Sequence, residues 1–246
     1  MKKIVIASNN LGKLNEIGAI LTPLDIEIVA QGTLGVSEAE EPYFTFVENA
    51  LAKAHHASRI TGLPALADDS GICVDALGGA PGVRSARFAN ADAAGEPGDR
   101  ARTREEQDAL NNRKLLDLLA TASNRKAHYY CVIVLTRGPD DPRPMICEAE
   151  WHGEIVDTPR GSGGFGYDPL FMVDGTGKTG AEFTPDEKNQ ISHRAQALAQ
   201  LVTRLRGELG ITSALRSGGQ AAILPRDAVL APRRKPSEFP PGRSKP

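Results

Sequence analysis

Apolar and polar positions alternate in short blocks along most of the chain, and each block has either a strand-like or a helix-like period. Lys3 to Ala7 is an apolar, β-branched run; after polar Ser8-Asn9-Asn10, the residues Leu14, Ile17, Ile20 and Leu21 return at helical spacing. That order predicts a strand, a loop and a helix. Thr45 to Thr61 reads as a helix with Phe46, Ala50, Ala54 and Ala57 on one face, Asn49 and Lys53 on another, and Gly62-Leu63-Pro64 as its stop. Ala65-Leu66-Ala67 suits a short buried strand that delivers Asp68-Asp69-Ser70-Gly71 at its end, before a further strand from Ile72 to Asp75. A long helix is expected over Arg104 to Ala120, with Leu110, Leu115, Leu116 and Leu119 inward. Tyr129 to Thr136 and Met145 to Val156, joined through Gly138 to Pro144, read as an antiparallel hairpin. Gly161 to Gly166 is a glycine-rich loop. Thr184-Pro185-Asp186-Glu187 forms a capping box with proline at the first helical position, and Ser192 can cap a last helix from His193 to Arg206. Strands alternate with helices throughout, which is the pattern of an α/β protein with a mixed sheet.

Composition narrows the class. The chain has 246 residues, 40% of them hydrophobic and 24% charged, as in a globular protein. No run approaches the roughly 18 apolar residues of a membrane helix, and Ile4-Val5-Ile6-Ala7 is too short for the core of a signal peptide. Cys73, Cys131 and Cys147 form no CxxC pair and sit among apolar residues, so reduced, buried thiols and a cytoplasmic location are expected. A formal charge of −2 lacks the basic excess of a general nucleic-acid binder. That charge is unevenly spread. Residues 213–246 hold six prolines, seven basic and two acidic residues, and read as a disordered basic tail of +5 on a body of −7. A body of that sign offers a polyanion no long-range attraction, so affinity for one would have to come from local features.

Four groups of residues could carry chemistry. Ser8-Asn9-Asn10-Leu11-Gly12-Lys13 lies between a strand and a helix N-terminus, where free N–H groups and a lysine suit a phosphate; an N-cap loop with a solvent lysine is the plainer reading. It is not a Walker A loop, since Ala7 stands where the first glycine belongs and Leu14 follows the lysine. Glu38, Glu40 and Glu41 together with Asp68 and Asp69 could supply oxygen ligands to Mg²⁺ and a base for water, or could be a solvated face and a turn. If the chain is extended there, Asp68 and Asp69 point oppositely, and at most one should face a cleft.

Gly161-Ser162-Gly163-Gly164-Phe165-Gly166 spells G-x-G-x-x-G, but it runs into Tyr167-Asp168-Pro169 and not into an amphipathic helix, so a dinucleotide fingerprint is rejected. The segment instead offers Phe165 and Tyr167 for stacking on a base and Asp168 as an acceptor on a flexible backbone. Lys188, Ser192, His193 and Arg194 are the fourth group. Basic residues are unfavourable at a helix start, so an anionic or electron-rich neighbour would explain them better than a solvated first turn. His55 and His56 read as structural.

In this order, the segments SNNLGK (8–13), TFVENALAKA (45–54), LADDSG (66–71), LGGAPGVRSARFA (77–89), GSGGFGYDPLF (161–171) and EKNQISHRAQAL (187–198) resemble the inosine triphosphate pyrophosphatase family. The resemblance covers about residues 1–210. It implies a homodimer in which an elongated mixed sheet, flanked by helices, forms two lobes with an active-site cleft between them. It further implies Mg²⁺-dependent hydrolysis of a nucleoside triphosphate to the monophosphate and pyrophosphate, preferring dITP, ITP and XTP and so cleansing the nucleotide pool. By position, Ser8, Asn9, Asn10, Leu11, Gly12 and Lys13 would hold the phosphates with Lys53. Glu41 and Asp69 would bind magnesium, Asp69 would also take the proton from water, and Ser70 would touch the substrate. Phe165, Gly166, Tyr167 and Asp168 would cradle base and sugar, and Lys188, His193 and Arg194 would close the purine site. One departure leaves Glu40 beside Glu41 as a candidate ligand: Glu41-Pro42-Tyr43-Phe44 stands where the family shows Glu-Thr-Gly.

A selection rule follows as an expectation. Hypoxanthine and xanthine present a 6-oxo acceptor where adenine presents an amine, so donors from His193 and Arg194 would favour the former. Rejection of guanine would need another contact, against its 2-amine. Two other readings stand beside this one: a Maf-type pyrophosphatase, whose Ser-Pro-Arg-Arg-like opening is absent here, and a non-catalytic nucleotide-binding regulator.

Overall fold

In the computed structural model, residues 3–208 are described apart from 22–23, 25 and 93–102; the tail expected over 213–246 lies outside the described residues. A six-stranded mixed sheet runs in the order β2-β1-β3-β4-β5-β6. Its strands are β1 (Lys3–Ile6), β2 (Glu27–Ala30), β3 (Ala65–Val74), β4 (Lys126–Thr136), β5 (Met145–Ile155) and β6 (Phe171–Val173). β2, β1 and β3 are parallel, and β3 through β6 are antiparallel. The helices are α1 (Leu11–Leu21), α2 (Phe46–Thr61), α3 (Arg104–Leu118), α4 (Pro185–Ile191) and α5 (His193–Glu208), with a 3-10 segment at Gly82–Asp92. None of the described helices is long and apolar enough to cross a membrane.

The long strands carry two apolar regions on one face. Ile4, Ile6, Leu66, Ile133 and Leu135 pack against Ile17 and Leu21 of α1 and Leu198, Leu201 and Leu205 of α5. Toward the other end, Ile72, Val74, Tyr129 and Trp151 pack with Leu115, Leu119, Phe88 and Phe171. α2 covers the opposite face. Its small residues Ala50, Ala54 and Ala57 meet Ala65 and Ala67, a close approach that brings the polar side of the helix over β3. Thr45 caps it, accepting from the Glu48 N–H, and Gly62 ends it at φ 69°.

Several expectations need correction. The strand at Ala65 does not stop at Asp68: β3 is one strand of 10 residues, paired without a break from Ala65↔Thr136 to Val74↔Ala127. Asp-Asp-Ser-Gly is therefore no turn, because the carboxylates find cations on both faces of the sheet. Leu110 is not inward but exposed; α3 instead buries Asn111 and Leu115. Cys131 and Cys147 are buried, whereas Cys73 is half-buried; all three are free thiols.

Topology leaves an opening beside β3. β1 pairs with it only at Val5↔Ala65 and Ile6↔Leu66, and the next bridge on that side is Cys73↔Pro81. Between these points the Asp68 to Gly71 edge has no strand neighbour among the described residues.

Candidate active site

A cleft of about 880 Å³ opens at that gap, lined by residues from the 8–13 loop, the Glu38–Glu41 loop, β3, the 3-10 segment, α3, the 164–168 loop and the α4–α5 junction. A volume of this order suits a nucleotide-sized ligand. Both Asp68 and Asp69 line it, although they lie on opposite faces of β3 as extended backbone requires. The expectation of at most one fails because the cleft wraps around an unpaired strand edge and so reaches both faces.

The two aspartates have different surroundings. Asp68 is fully enclosed by donors. Arg194 Nε lies 3.0 Å from Oδ2 and Arg194 Nη2 3.3 Å from Oδ1; the Ser70 hydroxyl donates at 2.7 Å and the Cys131 thiol at 3.2 Å; Lys13 Nζ pairs with Oδ1. Burial alone would raise this carboxyl, but Arg194 and Lys13 outweigh it and hold it well below the usual carboxylate range. Among the described residues Asp69 has a single side-chain partner. Its Oδ1 takes the Lys53 ammonium at 2.7 Å, while Oδ2 is buried without a hydrogen bond. Burial raises the Asp69 carboxyl, and Lys53 offsets only part of the rise.

Lys53 also lies 2.7 Å from Glu41 Oε1. For Lys53 the cost of burial is exceeded by attraction to Asp69 and Glu41, so its pKa is raised. For Glu41 burial pulls upward, but Lys53 foremost among the cations holds it below its ordinary value. Glu40 and Glu38 also line the cleft but are exposed, with Glu38 accepting from Asn9 Nδ2 at 3.3 Å.

In the 8–13 loop, Asn10 caps α1: its Oδ1 accepts from Gly12 N at 2.9 Å and Lys13 N at 3.4 Å, and its own N–H donates to Ser8 Oγ at 3.1 Å. Lys13 is no solvent lysine, since its partner Asp68 is buried. Leu11 is 74% exposed at this helix start.

The far end of the cleft is built around Phe165. Asp168 Oδ2 accepts from Phe165 N at 2.8 Å and from Lys188 Nζ at 2.5 Å. Gly164 has φ 70°, and a Cβ there would lie 2.1 Å from Asp168 Oδ2, so glycine is required for this turn. Lys188 Nζ is 5.0 Å and Arg194 Cζ 5.9 Å from the Phe165 ring centre, within cation–π range. Two side chains of α3 hold the loop: Asp108 accepts from Gly166 N at 2.8 Å and Asn112 donates to Gly166 O at 3.0 Å. Tyr167 points inward, its hydroxyl donating to Ser85 O at 2.8 Å, so it supports the wall and leaves Phe165 as the open aromatic face.

His193 and Arg194 are buried, not a solvated first turn. Ser192 caps α5 by accepting from Ala195 N at 3.2 Å. His193 stacks on Tyr129 with ring centres 4.7 Å apart, its Nδ1 has no partner, and burial, reinforced by Arg194 and Lys188, pushes its pKa well down. It is neutral near pH 7.

Glu16, Arg87, Asp108 and Asn112 were not singled out from the sequence. Glu16 pairs with Arg194 and sits 3.6 Å from Lys188. One signal was available: Glu16 follows Lys13 by three, the spacing that places both on one helix face.

The residues present fit the implied magnesium ion. Among the described residues no three His, Cys, Asp or Glu side chains form a metal cage. Glu41 and Asp69 nevertheless share one cation, and Asp69 keeps an unpartnered buried oxygen. Two carboxylates leave most positions to water and phosphate oxygens, which is how Mg²⁺ is usually held.

Fold and cleft together define an α/β protein with a mixed sheet and an ion-paired, nucleotide-sized cleft at an open strand edge. The chain belongs to the Ham1 family, whose sequence profile matches residues 4–204. It is 60% identical over 206 residues to a dITP/XTP pyrophosphatase of Ralstonia nicotianae, covering 84% of this chain and 98% of that protein. A dITP/XTP pyrophosphatase of Nitrosomonas europaea is also 60% identical, over 83% of this chain and 95% of the relative. Among solved structures, a HAM1 protein from Coxiella burnetii superposes with a TM-score of 0.73 at 47% identity, covering 84% of this chain and all of the other. The Staphylococcus aureus Ham1 protein gives 0.70 at 38% identity over the same shares.

Proposed function

We propose that the protein hydrolyses non-standard purine nucleoside triphosphates, dITP, ITP and XTP, to the monophosphate and pyrophosphate with Mg²⁺. The observation that carries this reading is Asp69: a buried carboxylate with one oxygen held by Lys53, the other unpartnered, and a pKa raised by burial. A base needs that combination of fixed orientation, a free lone pair and enhanced proton affinity. The curated relatives named dITP/XTP pyrophosphatases supply the substrate class.

In the proposed reaction Asp69 Oδ2 takes a proton from water, the water oxygen bonds to the α-phosphorus, and the bond from that phosphorus to the bridging oxygen breaks. Pyrophosphate leaves with the electron pair. Glu41 and Asp69 would hold Mg²⁺, which when bound acidifies water and neutralises phosphate charge. Lys53 keeps the two carboxylates together, and Lys13, fixed by Asp68, presents charge at the start of α1. Asp68 is not the base, because its acceptor sites are taken by Arg194, Lys13, Ser70 and Cys131.

At the purine end, Phe165 offers a stacking face backed by Lys188, and neutral His193, stacked on Tyr129, lines the same cleft. The expectation that Arg194 donates freely to a 6-oxo group is restricted by its geometry: Asp68 and Glu16 already accept from Nε, Nη1 and Nη2. Selection then rests on Lys188, His193 and the remaining Arg194 donors. The same reading includes a homodimer, which light scattering would test. For the activity, pyrophosphate release is measured from dITP, XTP, dGTP, dATP and dUTP with and without Mg²⁺. Fast release from dITP and XTP only with Mg²⁺ supports the proposal; preference for dUTP would favour a Maf-type enzyme, and no release a binding protein.

A further inference from the structure

The charges in the cleft do not by themselves favour a polyanion. Lys13, Lys53, Lys188 and Arg194 are each ion-paired, and their partners are Glu16, Glu41, Asp68, Asp69 and Asp168. Four cations thus face five carboxylates. Among the described lining residues, the cations that stay open to solvent are Arg87 and Arg104. They stand at different ends. Arg104 Cζ is 5.7 Å from the centre of the Phe165 ring, beside the proposed purine site. Arg87 belongs to the carboxylate end: Nη2 donates to Glu41 O at 3.2 Å and lies 3.7 Å from Glu41 Oε2, while 53% of its side chain is exposed.

The contacts link the two ends of the cleft as a chain of neighbours. Phe165 touches Lys188 and Arg194, Arg194 and Lys13 meet on Asp68, Asp69 and Glu41 meet on Lys53, and Arg87 adjoins Glu41. With the base at Phe165 and the attacked α-phosphate near Asp69, the β- and γ-phosphates would extend toward Arg87. Its guanidinium is a planar fork suited to two phosphate oxygens, and among the described residues only one of its terminal nitrogens is engaged.

We propose that Arg87 is a further substrate-binding residue, which grips the pyrophosphate portion of the triphosphate. The inference rests on the pyrophosphatase reading above. Its test uses the full chain in equilibrium titrations by calorimetry with two probes, inorganic pyrophosphate and dIMP, each with Mg²⁺. Arg87→Ala should weaken pyrophosphate roughly ten-fold or more, the loss of a hydrogen-bonded charge contact, and leave dIMP within about two-fold. Unchanged dIMP binding also reports an intact site. Arg87→Lys, which keeps the charge and loses the fork, should recover part of the loss. If the alanine variant does not fold, Arg87→Gln decides by the same comparison. Equal weakening of both probes would show that Arg87 only supports the Glu41 loop, and undiminished pyrophosphate binding would show no contact; either overturns the assignment. A wild-type protein that binds neither probe would contradict the pyrophosphatase reading itself and this inference with it.

Discussion

The Lys53 ammonium sits 2.7 Å from Asp69 Oδ1 and thereby fixes which oxygen of Asp69 stays free. The contact depends on the alanine face of α2, which lets the helix lie close to β3. Replacing Lys53 with Met leaves Asp69 and Glu41 as neighbouring carboxylates with no shared cation. Asp69 then loses the attraction that lowers its pKa, and a base must be deprotonated to act. The acid limb of kcat/KM for dITP should move to higher pH, with kcat lower by on the order of 100-fold. An unmoved limb would remove Asp69 from the role of base.

Asp68 makes a stability prediction of opposite character. Removing it by Asp68→Ala leaves the buried Arg194 with Glu16 alone and takes from half-buried Lys13 its carboxylate, which should cost about 3 kcal/mol at pH 7 by urea denaturation. The folded pKa of Asp68 lies below the unfolded value of about 3.9. Its contribution is therefore fully present above that value and is lost as pH falls toward the folded pKa. The gap between wild type and variant should narrow in that acid window and nowhere above it.

His193 titrates in a different range. Its folded pKa is depressed, chiefly by burial, so the stability of the neutral ring is present above about 6.5 and is lost as pH falls below it. His193→Phe keeps a ring to stack on Tyr129 and removes the proton site. Unfolding free energies measured at pH 5, 6 and 7 should fall more steeply for wild type than for the variant. Parallel curves would mean that His193 is not the group responsible.

Gly164→Ala tests the loop that holds Phe165. The new methyl group would lie where Asp168 Oδ2 now sits, at a backbone φ of 70° that alanine disfavours. Asp168 must move, and Lys188 loses its nearer partner and keeps only Glu16 at 3.6 Å. KM for dITP should rise about ten-fold or more, with kcat reduced less, because the change weakens binding at the purine end. An unchanged KM would place the base elsewhere.

Much of this architecture is legible in the sequence, and what escapes reading has identifiable causes. α1, α2, the β4–β5 hairpin and the α4 capping box announce themselves through period and end signals close in sequence. β3 misleads because Asp-Asp-Ser-Gly is locally turn-like. Its extended form depends on Arg194, which is 126 residues away, and on Lys13 and Lys53 from two other helices. Leu110 misleads through its residue type alone: it is five positions before Leu115 and off the face that Asn111 and Leu115 share. β2 and β6 are strands of only 4 and 3 residues, too short for alternation to register. Glu16, Asp108 and Asn112, which brace residues of the cleft, carry no motif; their partners, Arg194, Lys188 and Gly166, come together only through tertiary packing.

The pyrophosphatase proposal is tested most directly by hydrolysing dITP with Mg²⁺ in ¹⁸O-labelled water and analysing the products by mass spectrometry. Attack at the α-phosphorus predicts one labelled oxygen in dIMP, unlabelled pyrophosphate in equal amount, and near-complete loss of both products in a folded Asp69→Asn variant. Label in pyrophosphate, release of orthophosphate with a nucleoside diphosphate, or full activity of Asp69→Asn would contradict it.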